Sequence, residues 1–146
     1  MAGRPGDLLI VEDNTFDVET ELRALEKVNL ADRVCVMRNG AEALKYLFSA
    51  DGKENTTPPH LPLVIFLDLE MPLVNGLEVL KRVKSDPRTQ KIPVVILTSI
   101  YDSEHVRQAY DSGANSYIVK PHEPKNFRDS VGQMGLYWIG LNQSPP

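Results

Sequence analysis

The chain has a single cysteine, Cys35, so no disulfide can close within it, and a reducing, cytoplasmic setting is expected. It has no apolar run approaching the roughly 20 residues that cross a bilayer. The opening stretch Met1-Ala2-Gly3-Arg4-Pro5-Gly6 lacks the apolar segment of a secretory signal. It has no basic excess either: 16 Lys and Arg against 20 Asp and Glu leave a net charge of −4. That removes the electrostatic ground for expecting nucleic acid or an anionic membrane as a partner. Internal repeats and low-complexity tracts are missing as well. What is present is 42% hydrophobic and 25% charged residues in 146 positions, which suits one globular domain over residues 1–146. Cys35, inside the apolar run Val34-Cys35-Val36-Met37, reads as a structural thiol rather than a reactive one.

Short apolar runs alternate with amphipathic segments. Leu8-Leu9-Ile10-Val11 stops at Glu12-Asp13, and a helical pattern follows through Val18, Leu22 and Leu25. Arg33 to Met37 reads as a second strand, Asn39-Gly40 breaks it, and Ala41 to Phe48 returns to helical spacing. Asp51 to Pro62 is polar and rich in Pro, Asn and Thr, the composition of a loop. Leu63 to Leu67 is an apolar strand ending at Asp68. The turn Met71-Pro72-Leu73-Val74-Asn75-Gly76 leads into a helix through Leu77, Leu80 and Val83. Ile92 to Leu97 is a fourth strand, ending at Thr98-Ser99. A polar helix, Ser103 to Ser112, stops at Gly113, and Tyr117-Ile118-Val119 is a fifth strand ending at Lys120-Pro121. A last helix carries Phe127, Val131, Met134, Trp138 and Leu141 on one stripe. Five βα units whose strands are apolar on both faces predict an α/β fold: a doubly wound parallel sheet with right-handed crossovers and helices on each side.

In open α/β sheets ligands bind beyond the carboxyl ends of the strands. At those ends stand Glu12 and Asp13, Asp68, Thr98 and Ser99, and Lys120 and Pro121. Singly, each has an ordinary role. An acidic pair caps a helix, an Asp after a strand forms a turn, Thr-Ser caps the next helix, and Lys-Pro is a turn. Together they place three carboxylates, a hydroxyl and an ammonium where they can converge, which is the equipment for phosphoryl transfer to a carboxylate. Clustered acids repel, and a hard divalent cation such as Mg²⁺ relieves the repulsion. Asp13 and Asp68 can ligate it, with Glu12 close by or acting through water and the backbone carbonyl of Glu70 as a further ligand. Asp68 is then the nucleophile. Mg²⁺, Lys120 and the Thr98 hydroxyl each take one oxygen of the transferred group. Ser99 is small, which leaves access to Asp68.

At this point the sequence resembles the receiver domains of two-component response regulators. The matching stretches are Leu9-Ile10-Val11-Glu12-Asp13-Asn14, Asp68-Leu69-Glu70-Met71-Pro72 with Gly76, Val95-Ile96-Leu97-Thr98-Ser99, and Tyr117-Ile118-Val119-Lys120-Pro121. They cover a core of about residues 7–140. The resemblance implies a flavodoxin-like sheet of five strands in order 2-1-3-4-5. It implies a sensor histidine kinase as partner, Mg²⁺ as cofactor and Asp68 as phosphoacceptor, with phosphorylation and dephosphorylation the only chemistry. It also implies a switch in which Thr98 draws inward and Tyr117 follows, reshaping the face made by the fourth helix, fifth strand and fifth helix.

A narrower set of residues is similar to the small response regulators of bacterial and cyanobacterial phytochromes: the Asn-Thr-Thr-Pro-Pro loop, Lys84-Ser85-Asp86-Pro87, Asn115-Ser116-Tyr117 and Tyr137-Trp138-Ile139-Gly140. That likeness implies a phytochrome-type kinase and a homodimer joined through the switch face and a C-terminal arm, about residues 134–146. Tyr137, Trp138 and Leu141 are the interface candidates. Glu70 stands where many relatives have Asn, and Ile100 is apolar two residues past Thr98. Both positions bear on phosphate lifetime.

Two other readings share the chemistry. A phosphatase of the haloacid-dehalogenase type also forms an aspartyl phosphate, but it wants a second Asp where Glu70 stands, and no cap domain is visible. A pseudo-receiver would lack phosphate chemistry, yet every required residue is present. His60, His105 and His122 show no metal spacing and read as surface residues. Lys81, Arg82 and Lys84 read as a solvated helix face. No DNA-binding or catalytic domain is visible after residue 140, so the output is expected to pass through a partner protein or by draining phosphate from the kinase.

Overall fold

A computed structural model describes residues 3–48, 61–71 and 73–146. Most of the loop expected at 51–62, with His60, and Pro72 of the turn at 71–76, lie outside the described residues. Among the described residues, strands and α-helices alternate: β1 (Leu8–Val11), α1 (Thr15–Lys27), β2 (Val34–Met37), α2 (Gly40–Phe48), β3 (Val64–Leu67), α3 (Gly76–Ser85), β4 (Val94–Thr98), α4 (Ser103–Asp111), β5 (Ser116–Val119) and α5 (Pro124–Gly135). The strands form one parallel sheet in the order β2-β1-β3-β4-β5, the expected doubly wound topology.

Residues alternate between the two faces of a strand, and the chain supplies a separate core for each face. Leu9, Val11, Ile65, Leu67, Val94 and Ile96 pack with Ala43 and Leu47 of α2 and with Val79, Leu80 and Val83 of α3. Leu8, Ile10, Val64, Phe66, Val95 and Leu97 pack with Ala24 and Leu25 of α1 and with Phe127, Val131 and Met134 of α5. This is why β1, β3 and β4 carry no polar residue before their last position. The edge strands β2 and β5 are only half-buried. In the register, Val11 stands opposite Leu67, and Thr98 opposite Val119. The strands therefore finish nearly level, and Glu12, Asp68, Thr98 and Lys120 emerge at one edge.

Side-chain caps fix the first turns beyond that edge. Asn14 accepts from the Asp17 amide at 2.9 Å, Asn75 from the Glu78 amide at 3.0 Å, and Asp102 from the His105 amide at 2.9 Å. Short polar side chains of this kind satisfy the donors that a helix start leaves open. Gly113 closes α4 with φ of +104°, as expected of a glycine stop.

Several boundaries and roles differ from the sequence reading. β2 starts at Val34 because Ala31–Arg33 wind into a short 3-10 turn. β4 starts at Val94, two residues late: Pro93 has no N–H for the ladder, although its carbonyl still accepts from Ile65 at 3.0 Å. The helix face expected to be solvated is largely engaged. Lys84 Nζ donates to the carbonyls of Ile92 (2.7 Å) and Gln90 (3.2 Å) and to Asn115 Oδ1 (2.9 Å), and burial lowers its pKa. The Arg82 guanidinium lies 4.0 Å above the Phe48 ring and pairs with Asp86. Long cationic stems can cover apolar surface, so only Lys81 keeps the expected role. The last stripe is also interrupted. α5 ends at Gly135 and Leu136–Leu141 widen into π-helical turns. Phe127, Val131 and Met134 of α5 are buried, whereas beyond Gly135 Trp138 is half-buried against the second core and Leu141, the candidate for a subunit contact, is 73% exposed.

Candidate functional site

The residues singled out at the strand ends come together. Glu12, Asp68 and Thr98 are buried, and Asp13 is exposed at the mouth. Carboxylate oxygens of Glu12, Asp13 and Asp68 lie within 4.8 Å of one another. Opposite oxygens in an octahedral Mg²⁺ shell are about 4 Å apart, so this all-oxygen donor set fits that ion. Among the described residues it is the one group of acids, histidines or cysteines close enough to hold a metal. His105 is engaged instead with Asp102, at 2.7 Å.

Lys120 closes the site from β5. Its Nζ donates to Glu12 Oε1 at 2.6 Å, to Asp17 Oδ2 at 2.8 Å and to Asp68 Oδ2 at 3.2 Å. Its amide donates to the Thr98 carbonyl at 2.8 Å, tying β5 to the end of β4. The Glu70 amide donates to Asp68 Oδ1 at 3.2 Å and so orients the carboxylate from the loop side. Gly76 packs so tightly under this loop that a Cβ there would fall 2.1 Å from the Asp68 carbonyl oxygen. Thr98 Oγ1 accepts weakly from the Ile100 amide at 3.4 Å. The Tyr117 hydroxyl donates to the Ile100 carbonyl at 2.8 Å. Thr98, Ile100 and Tyr117 thus form one linked unit beside the acids.

Two residues of this region were missed by the sequence reading. Asp17 and Glu21 follow Asp13 at successive intervals of four along α1, a spacing that puts side chains on one helix face. That spacing was the available signal. Asp17 binds Lys120. Glu21 is 1% exposed and its Oε2 has no hydrogen-bond partner.

The electrostatics follow from several acids sharing one ammonium. Burial, and then the charge of Asp68, push the Glu12 carboxyl up to about 7 despite its contact with Lys120. Burial pulls the Lys120 ammonium down, but the Asp17 hydrogen bond and the charges of Asp68 and Glu12 more than offset it, holding Lys120 above the usual lysine range. Burial first and the Glu12 charge second push Glu21 well above the usual carboxylate range. An acid whose folded pKa is raised gives stability that is fully present below its unfolded pKa, near 4.5, and lost as pH climbs through the folded value. Glu21→Met is therefore expected to stabilise the protein by about 1–2 kcal/mol near pH 8 and by less near pH 5. Urea unfolding at the two pH values checks this; an equal or negative effect at pH 8 contradicts it.

Comparison with known proteins agrees with this geometry. The sequence profile of the "Response regulator receiver domain" matches residues 8–132. FilR2 of Methanothrix harundinacea, named a probable methanogenesis regulatory protein, is 36% identical over 97% of this chain and 88% of its own length. The phosphorylated cyanobacterial phytochrome response regulator RcpA superposes with a TM-score of 0.86 at 30% identity, covering 99% of this chain and all of that one. The Mn²⁺-bound form of Rcp1, a response regulator of Synechocystis, superposes with a TM-score of 0.84 at 28% identity, covering 95% and 98% of the two chains. Receiver domains are signalling switches that hold a divalent cation at such an acidic site and take their signal from a sensor histidine kinase. With its five-stranded order, its acidic triplet and its lysine in place, this chain belongs to the response regulator receiver domain family.

Proposed function

We propose that the protein is a phosphoacceptor switch in which Asp68 takes a phosphoryl group from a histidine kinase in a Mg²⁺-dependent reaction. The observation that carries this is the set of hydrogen bonds from Lys120 to Glu12 and Asp68 beside the Glu12–Asp13–Asp68 triplet. Glu12, Asp13, Asp68 and the Glu70 carbonyl would hold the ion, which would supply positive charge to neutralise the acids and to draw charge from the phosphoryl oxygens. An Asp68 oxygen attacks phosphorus as the bond to the donor nitrogen breaks, and the donor imidazole leaves with the electron pair. Lys120 receives one phosphoryl oxygen and the Thr98 hydroxyl another. Hydrolysis reverses the charging: water attacks phosphorus and Asp68 leaves as carboxylate. Ile100 and Glu70, flanking the approach, set how fast water arrives.

The switch is the Thr98–Ile100–Tyr117 unit. As the Thr98 hydroxyl turns to the phosphoryl group, the loop after β4 moves. The Tyr117 hydroxyl then gives up the Ile100 carbonyl, and the surface of α4, β5 and α5 changes with it. The likeness to RcpA over nearly the whole chain supports a phytochrome-type kinase as partner. The arm from about 134 to 146, with Tyr137 and Leu141 exposed and Trp138 half-buried, supports a homodimer. If truncation after Gln133 and Trp138→Ala both leave the solution mass unchanged, the dimer reading is wrong. The lone Cys35 supports a cytoplasmic location; the net charge of −4 argues against nucleic acid or a membrane as partner.

The test is intact mass after incubation with Mg²⁺ and a small phosphodonor. The wild type is expected to gain one phosphoryl group, and Asp68→Asn or omission of Mg²⁺ to abolish the gain. An unaltered wild-type mass overturns the proposal, while rapid multiple turnover of phosphomonoesters would favour a phosphatase.

A further inference from the structure

An ammonium has three N–H donors, and Lys120 has committed all of them to carboxylates. Two of those acids, Glu12 and Asp68, belong to the triplet that can hold a metal; Asp17 does not. Charging Asp68 would change the partners of both triplet acids, since Asp68 would become an acyl phosphate, a mixed anhydride, and Glu12 would serve the ion. Asp17 is the acceptor left unaltered. Its position is firmly set: the Asn14 cap holds its amide at 2.9 Å, and the first turn of α1 favours negative charge. Its carboxylate is 20% exposed and Lys120 only 8%, so the contact bridges the site from its rim, joining α1 to the end of β5 across a sequence separation of 103 residues.

We propose that Asp17 is a positioning residue for phosphoryl transfer, the fixed anchor that keeps Lys120 Nζ over the site while Glu12 and Asp68 change partners. This rests on the phosphoacceptor reading above. Without the anchor the flexible lysine stem samples other positions, and the transition state loses part of a preorganised charge. Asp17 stands outside the acidic triplet, so its loss is expected to act on the rate of the step rather than on metal binding.

The test is phosphorylation kinetics of the full chain with a small phosphodonor, across Mg²⁺ concentrations, for wild type, Asp17→Asn and Asp17→Glu. Asp17→Asn is expected to lower the maximal rate about fivefold or more, with the half-saturating Mg²⁺ and phosphodonor concentrations within twofold of wild type. Asp17→Glu, which keeps the charge and can still reach Nζ, is expected to recover most of the rate. An Asp17→Asn rate equal to or faster than wild type overturns the proposal, as does equal slowing in both variants or a shifted Mg²⁺ requirement. A wild type that takes up no phosphoryl group at all fails at the underlying reading instead, and is told apart by that.

Discussion

Lys120→Met is expected to lose about 3–5 kcal/mol of stability when Mg²⁺ is absent, the scale for removing one partner of a buried charge cluster. Lys120 is the ammonium that Glu12, Asp17 and Asp68 share, and its side chain is only 8% exposed, as is that of Asp68, with Glu12 at 2%. Without it, the buried acids must protonate or repel. The site is also built to accept a dication through the same acids. Added Mg²⁺ is thus expected to raise the melting temperature of Lys120→Met by more than it raises that of the wild type, because the ion replaces a charge the variant lacks. Thermal melts with and without Mg²⁺ decide the matter. A loss under about 1 kcal/mol, or an equal Mg²⁺ effect in both proteins, would mean the acids are balanced by something other than Lys120.

A comparable loss, about 3 kcal/mol, is expected from Gly76→Ala. The added methyl would sit 2.1 Å from the Asp68 carbonyl oxygen and 2.6 Å from Leu69 Cα, both backbone atoms that cannot swing aside. The Gly76 amide also donates to the Leu69 carbonyl at 3.0 Å, which closes the loop over the start of α3. Relief of the clash must move Asp68 itself, so phosphoryl uptake should fall along with stability. Gly140→Ala is the matched control, since nothing lies within 4 Å of a Cβ there. Near-equal melting temperatures for the two variants would show that the loop yields more freely than its packing indicates.

Much of this was legible in the sequence, and the reason is chemical. A central parallel strand must be apolar on both faces, so its first polar residue announces where the sheet ends. That rule located Glu12, Asp68 and Thr98 without coordinates. What escaped was whatever depends on a helix face meeting a neighbour. Asp17 and Glu21 look like ordinary solvated acids on an amphipathic helix until α1 is docked against the strand edge. Lys84 looks like a surface lysine until the turn before β4 supplies carbonyls within its reach. The π-helical stretch after Gly135 is silent because no residue type demands it.

Borohydride reduction after phosphorylation reads directly which carboxylate is charged. Hydride cleaves an acyl phosphate and leaves an alcohol, converting the modified aspartate to homoserine. Peptide sequencing by mass spectrometry is expected to find homoserine at position 68, in the Mg²⁺-treated sample alone. Homoserine at Asp13 or Asp17, or none at all in a protein that has gained a phosphoryl group, would contradict the assignment of Asp68 as the acceptor.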